Sequence, residues 1–105
     1  MAPTPSRFNL KDRSVLITGA NRGLGAALCK TILQDSPKII HAGYRTTPGD
    51  FEDPRISWCP LDIQSSDSIA AAVASIGELD VLINNAGILI LPRQPPLKKW
   101  PILRP

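Results

Sequence analysis

The chain predicts a single α/β domain built on a parallel sheet, and three observations carry that expectation. Short apolar runs alternate along the chain with stretches of helical period. The first run is short, apolar and β-branched, as a strand covered on both faces is. A glycine-rich turn joins the first run directly to the first helical stretch. A length of 105 residues allows one domain, since domains run to roughly 100–200 residues. With 43% hydrophobic and 20% charged residues, the composition suits a globular chain with a modest core.

Pro3 and Pro5 mark a loose entry over residues 1–7. Ser14-Val15-Leu16-Ile17-Thr18 then reads as a buried strand that stops at Gly19. Leu24, Leu28 and Ile32 recur every four residues and predict a helix from about 23 to 34, ended by Ser36-Pro37. The run from Ile39 to Tyr44 is a second strand, followed by a polar loop from Thr46 to Pro54. Ile56 to Leu61 forms a third strand. Ser65 or Ser66 caps a second helix with Ile69, Val73 and Ile76 as its apolar face, ending at Gly77. Val81 to Asn84 is the fourth strand. This order, with right-handed crossovers, predicts the strand order 3-2-1-4.

Five of the eleven prolines fall in residues 92–105. Proline lacks a donor and restricts its predecessor, so this tail is expected to be extended or disordered. The net charge of +3 resides there too. Residues 1–91 carry eight Lys/Arg against nine Asp/Glu, while the tail adds Arg93, Lys98, Lys99 and Arg104 and no acid. A nucleic-acid footprint needs its basic patch on the folded domain, so no nucleic-acid partner is expected. No run approaches the roughly 18 apolar residues of a membrane helix, and the N-terminus has no signal-like apolar region. Membrane association is therefore not expected, and a cytoplasmic, reducing setting is. Cys29 and Cys59 lack CxxC spacing and read as buried thiols, and His41 as a structural histidine within a strand. No metal site is expected.

The chemistry-bearing segment is Thr18-Gly19-Ala20-Asn21-Arg22-Gly23-Leu24-Gly25. Placed between a strand and a helix, its glycines permit a tight turn and a close approach of backbone N–H groups to a diphosphate. The helix N-terminus adds unpaired donors and a positive dipole end. No Gly-Lys-Ser/Thr follows, which excludes a Walker A loop.

This loop resembles the Thr-Gly-x-x-x-Gly-x-Gly loop of the short-chain dehydrogenase/reductase family, classical and carbonyl-reductase-like. Asn84-Asn85-Ala86-Gly87 after the fourth strand and Leu61-Asp62-Ile63 after the third are similar to two further segments of that family. The resemblance covers about residues 8–91 and implies a Rossmann-type sheet, half of a doubly wound fold. It implies that Gly19, Asn21, Arg22, Gly23, Leu24 and Gly25 line the diphosphate. It places Asp62 and Ile63 at the adenine and Asn85, Ala86 and Gly87 near the nicotinamide ribose, with Asn84 bracing the fourth strand. An NAD-binding site of this type carries an acid at the end of the second strand. Here Arg45 stands there, with Arg22 as a second cation, so NADP is expected over NAD.

The family's hydride transfer between nicotinamide and a carbonyl or alcohol relies on a Ser and a Tyr-x-x-x-Lys pair. The chain's one tyrosine, Tyr44, is followed four residues on by Pro48. No catalytic residue is therefore assigned, and the expectation is an NADP-binding N-terminal half, truncated or frameshifted before the catalytic region. An alternative is a non-catalytic nucleotide-binding or interaction protein using the Pro-x-x-Pro of residues 92–95. A third is an unstable product without function. With no strand expected beyond the fourth, the sheet edge it leaves invites self-association.

Overall fold

A computed structural model describes residues 9–87. The segments predicted as a loose entry at 1–7 and a proline-rich tail at 92–105 lie outside the described residues, as does the apolar run 88–91. Six elements follow in order: β1 (Ser14–Ile17), α1 (Gly23–Leu33), β2 (Ile39–Tyr44), β3 (Ile56–Pro60), α2 (Ser66–Ile76) and β4 (Val81–Ile83). The four strands form one parallel sheet of order β3-β2-β1-β4, as the alternation predicts. In register, Leu16 lies beside His41 and Leu82, and Ile17 beside Ala42 and Ile83.

The two helices cover opposite faces. On the α1 face Val15, Ile17, Ile40 and Ala42 meet Cys29 and Ile32 of the helix. On the α2 face Leu16, Cys59 and Leu61 meet Ala72, with Ile76 packed beside them. Both cysteines are buried and free. Burial alone raises the Cys29 thiol to about 11 and raises Cys59 too, because a thiolate there would lose its hydration.

Each helix turns only part of its predicted apolar line inward: Leu28 and Ile32 of α1 and Ile76 of α2 pack against the core. Along α1 the buried positions are Gly25, Cys29 and Ile32, while Leu24 is 69% exposed. Along α2 the inward line runs through Ala72 and Ile76, and Val73 is 64% exposed. A helix lying close to a sheet needs small side chains at the contact, and that requirement overrides bulk hydrophobicity here.

The β2–β3 connection forms no helix, in line with the polar loop predicted there. Phe51 and Trp58 pack edge to face instead, with ring centroids 5.1 Å apart, and Lys30 of α1 lies 4.9 Å from the Phe51 centroid. This aromatic pair extends the core of the α1 face where a crossover helix would have lain. Arg55 ties the connection down. It grips Asp53 through Nε and Nη2 at 3.0 and 3.1 Å and donates from Nη1 to the Leu33 carbonyl at the end of α1 at 3.0 Å. No helix among the described residues is long and apolar enough to cross a membrane.

Candidate functional site

The C-terminal ends of all four strands open into one cleft of about 610 Å³. In an open parallel sheet such a crevice forms where the strand order reverses, here between β1 and β4. Its volume lies within the range of small-molecule and cofactor sites, roughly 300–1,000 Å³.

Thr18 holds the two central loops together. Its hydroxyl oxygen accepts hydrogen bonds from the N–H groups of Asn85 and Ala86, both at 2.9 Å. The Asn85 side chain in turn donates to the Gly19 carbonyl at 3.0 Å. The loops after β1 and β4 are thereby pressed together, which explains two glycines. Gly19 has φ +65°, and a Cβ there would stand 3.1 Å from Ala86. A Cβ at Gly25 would collide with the Gly19 carbonyl and lie 2.6 Å from Asn85 Nδ2. Only hydrogen fits at Gly25, and at Gly19 a side chain would be crowded by Ala86 and strained by the positive φ.

The N-terminus of α1 faces this junction without a side-chain cap, since Arg22 at the N-cap position makes no capping hydrogen bond and the first turn holds no acid. The unpaired first-turn N–H groups and the dipole end suit an anionic ligand. Across the cleft, β2 is followed by Arg45, Thr46 and Thr47, all exposed, and none of them is an acid.

Ten of the twelve residues singled out from the sequence line the cleft: Gly19, Asn21, Arg22, Gly23, Arg45, Asp62, Ile63, Asn85, Ala86 and Gly87. Two do not. Gly25 lies buried behind the loop, where its missing side chain admits the Gly19 carbonyl. Leu24 points away into solvent because the line inward from α1 begins at Gly25. Asn84, expected to brace the fourth strand, is exposed and makes no hydrogen bond among the described residues. Thr18 does the bracing from the neighbouring strand. Sequence reasoning also passed over Thr46, Thr47 and Leu61 as lining residues. The two threonines follow Arg45 in the same connection, a signal that was legible.

A family model for short chain dehydrogenases matches residues 13–100. The chain belongs to the short-chain dehydrogenase family. The match runs on past residue 91, into the segment that the sequence reading sets apart as a tail. Gluconate 5-dehydrogenase of Gluconobacter oxydans is 31% identical over 91% of this chain and 41% of its own length. A short chain dehydrogenase from Burkholderia cenocepacia, solved in complex with NADP, superposes with a TM-score of 0.73 at 30% identity, over 77% of this chain and 35% of that one. A family member from Leptospira borgpetersenii, solved with bound NAD+, gives 0.69 at 26% identity, over 86% and 38%. The chain thus spans less than half the length of the family proteins it matches.

Proposed function

We propose that the chain binds a nicotinamide dinucleotide in this cleft, NADP(H) in preference to NAD(H). The observation that carries the reading is the convergence of all four strand ends on the uncapped N-terminus of α1. A diphosphate fits over Gly19 to Gly25, where Gly25 admits no side chain, Gly19 takes a positive φ and the helix offers its open N–H groups. Asp62 and Ile63 receive the adenine, and Asn85, Ala86 and Gly87 pass beside the nicotinamide ribose. Arg45 supplies a planar donor fork for a 2′-phosphate, with Arg22 as the second cation and Thr46 and Thr47 as neighbouring hydroxyls. The two solved relatives carry NADP and NAD+ respectively, which supports a nicotinamide dinucleotide, and Arg45 tips the choice.

When bound, the dinucleotide supplies a hydride for exchange with a carbonyl or alcohol. The chain's own residues bind and orient it. Tyr44, the one tyrosine, sits at the end of β2 with its ring edge-on to Trp58 at 6.2 Å. No Lys follows it at the family's spacing, so Tyr44 is assigned no part in proton transfer. Self-association through the β4 edge and a cytoplasmic setting complete the reading.

Titrating NADPH and NADH into the wild type and Arg45→Asp tests it. Charge-assisted hydrogen bonds contribute roughly 1.5–3 kcal/mol each, so the wild type should favour NADPH by about tenfold or more. Arg45→Asp should lose that preference. Equal affinities in the wild type would refute it.

A further inference from the structure

We propose that Ser68, which lies outside the cleft, is a positioning residue for recognition of the dinucleotide's base; the inference rests on the reading of the cleft as a dinucleotide site. The α2 helix opens on Ser65-Ser66-Asp67-Ser68, the spacing of a capping box. In such a box the first side chain accepts from the N–H three residues on, and the last side chain reaches back to the N-cap N–H. The first half is formed, with the Ser68 N–H donating to Ser65 Oγ at 3.1 Å. The second half is diverted. Ser68 Oγ accepts instead from the N–H of Asp62 at 2.8 Å, and the Ser65 N–H donates to the Asp62 carbonyl at 3.0 Å.

The diversion matters because Asp62 lines the cleft while Ser68 does not. Its N–H and C=O are both held by the first turn of α2, and its Oδ1 accepts from the Gln64 N–H at 3.0 Å. A capping contact serving only the helix would have no reason to reach a cleft wall. With Oδ1 engaged, the other carboxylate oxygen has no partner among the described residues. An ionised carboxylate only accepts, so it selects a ligand group that donates. The exocyclic amino group of adenine donates; hypoxanthine places a carbonyl oxygen at that position and meets the carboxylate as a second acceptor. Base selectivity then depends on Asp62 being held in place, and Ser68 is the side chain that holds its backbone N–H.

The test compares binding of NADPH and its reduced hypoxanthine analogue to the full chain, as wild type, Ser68→Ala, Ser68→Thr and Ser65→Ala, with a melt of each. Alanine is the best helix former, so Ser68→Ala should keep α2 intact. The wild type should prefer the adenine form. Ser68→Ala should lower that preference about three- to tenfold by weakening the adenine form alone, the loss expected for one hydrogen bond. Ser68→Thr keeps the hydroxyl and should keep the preference. Ser65→Ala should lower the melt but leave the preference in place. An unchanged preference in Ser68→Ala, an equal weakening of both dinucleotides, the same loss in Ser65→Ala, or no base preference in the wild type would each overturn the role of Ser68 while leaving the dinucleotide site standing. A wild type that binds neither compound would remove the dinucleotide reading, and this inference with it.

Discussion

Thr18 joins the loops after β1 and β4 from behind the cleft, without lining it. One hydroxyl satisfies two N–H groups of the loop after β4, in a position only 4% exposed. Thr18→Val keeps the shape and leaves both donors unpaired, so it should lower stability by about 1–3 kcal/mol in denaturant melts and weaken dinucleotide binding. A neutral result would mean that the two loops do not depend on the hydroxyl. Gly25→Ala should be harsher on binding, because its Cβ meets a backbone carbonyl that cannot swing aside. The glycines were legible in the sequence because a turn between strand and helix has few other solutions. Thr18 was not, since its partners lie 67 and 68 residues away and nothing local announces them. His41 carries the pH dependence of this scale. Burial lowers its pKa below the ordinary 6.5, so the folded state favours the neutral ring. The unfolded chain then binds more protons on acidification, and the stability His41 contributes is present above about pH 6.5 and lost as the pH falls through the folded-state value. A pH series of melts should show that loss in the wild type and a smaller one in His41→Asn.

The two helices end and begin differently for reasons that bear on function. The α1 N-terminus is left open toward the cleft, whereas α2 is capped by Ser65. Ser65→Ala should therefore cost about 1 kcal/mol, a typical N-cap loss. The strand and helix positions were legible to within a residue or so because apolar runs, Ser-Pro and the serine cap are local signals. The helix faces were legible only in part, since Leu28, Ile32 and Ile76 pack inward while Leu24, Ile69 and Val73 stay exposed. A spacing of Leu24, Leu28 and Ile32 marks a stripe, but the stripe that packs is set by how close α1 must come to Gly19, and Gly25 and Cys29 carry no bulk to advertise it. On α2 the same rule hides Ser68 and Ala72 behind the more conspicuous Ile69 and Val73.

At the scale of the molecule, the sheet is covered unequally. The α1 face holds the larger core, and on the α2 face Leu82 of β4, an edge strand among the described residues, stays 51% exposed. An apolar edge strand is a template for pairing, so the 105-residue chain should associate at micromolar concentration in sedimentation experiments. Leu82→Lys should suppress that association, and a wild type that sediments as a monomer would show the edge to be protected. The strand order was legible from alternation together with right-handed crossovers, and it is this order that brings the ends of β1 and β4 side by side. The central claim is that a dinucleotide lies across these strand ends, and the backbone amide spectrum of the labelled chain titrated with NADPH tests it most directly. Saturable shifts are expected at Gly19 to Gly25, Arg45 to Thr47, Asp62, Ile63 and Asn85 to Gly87, with the outward face of α2 unmoved. No saturable shift, or shifts centred on β3 and the outward face of α2, would contradict it.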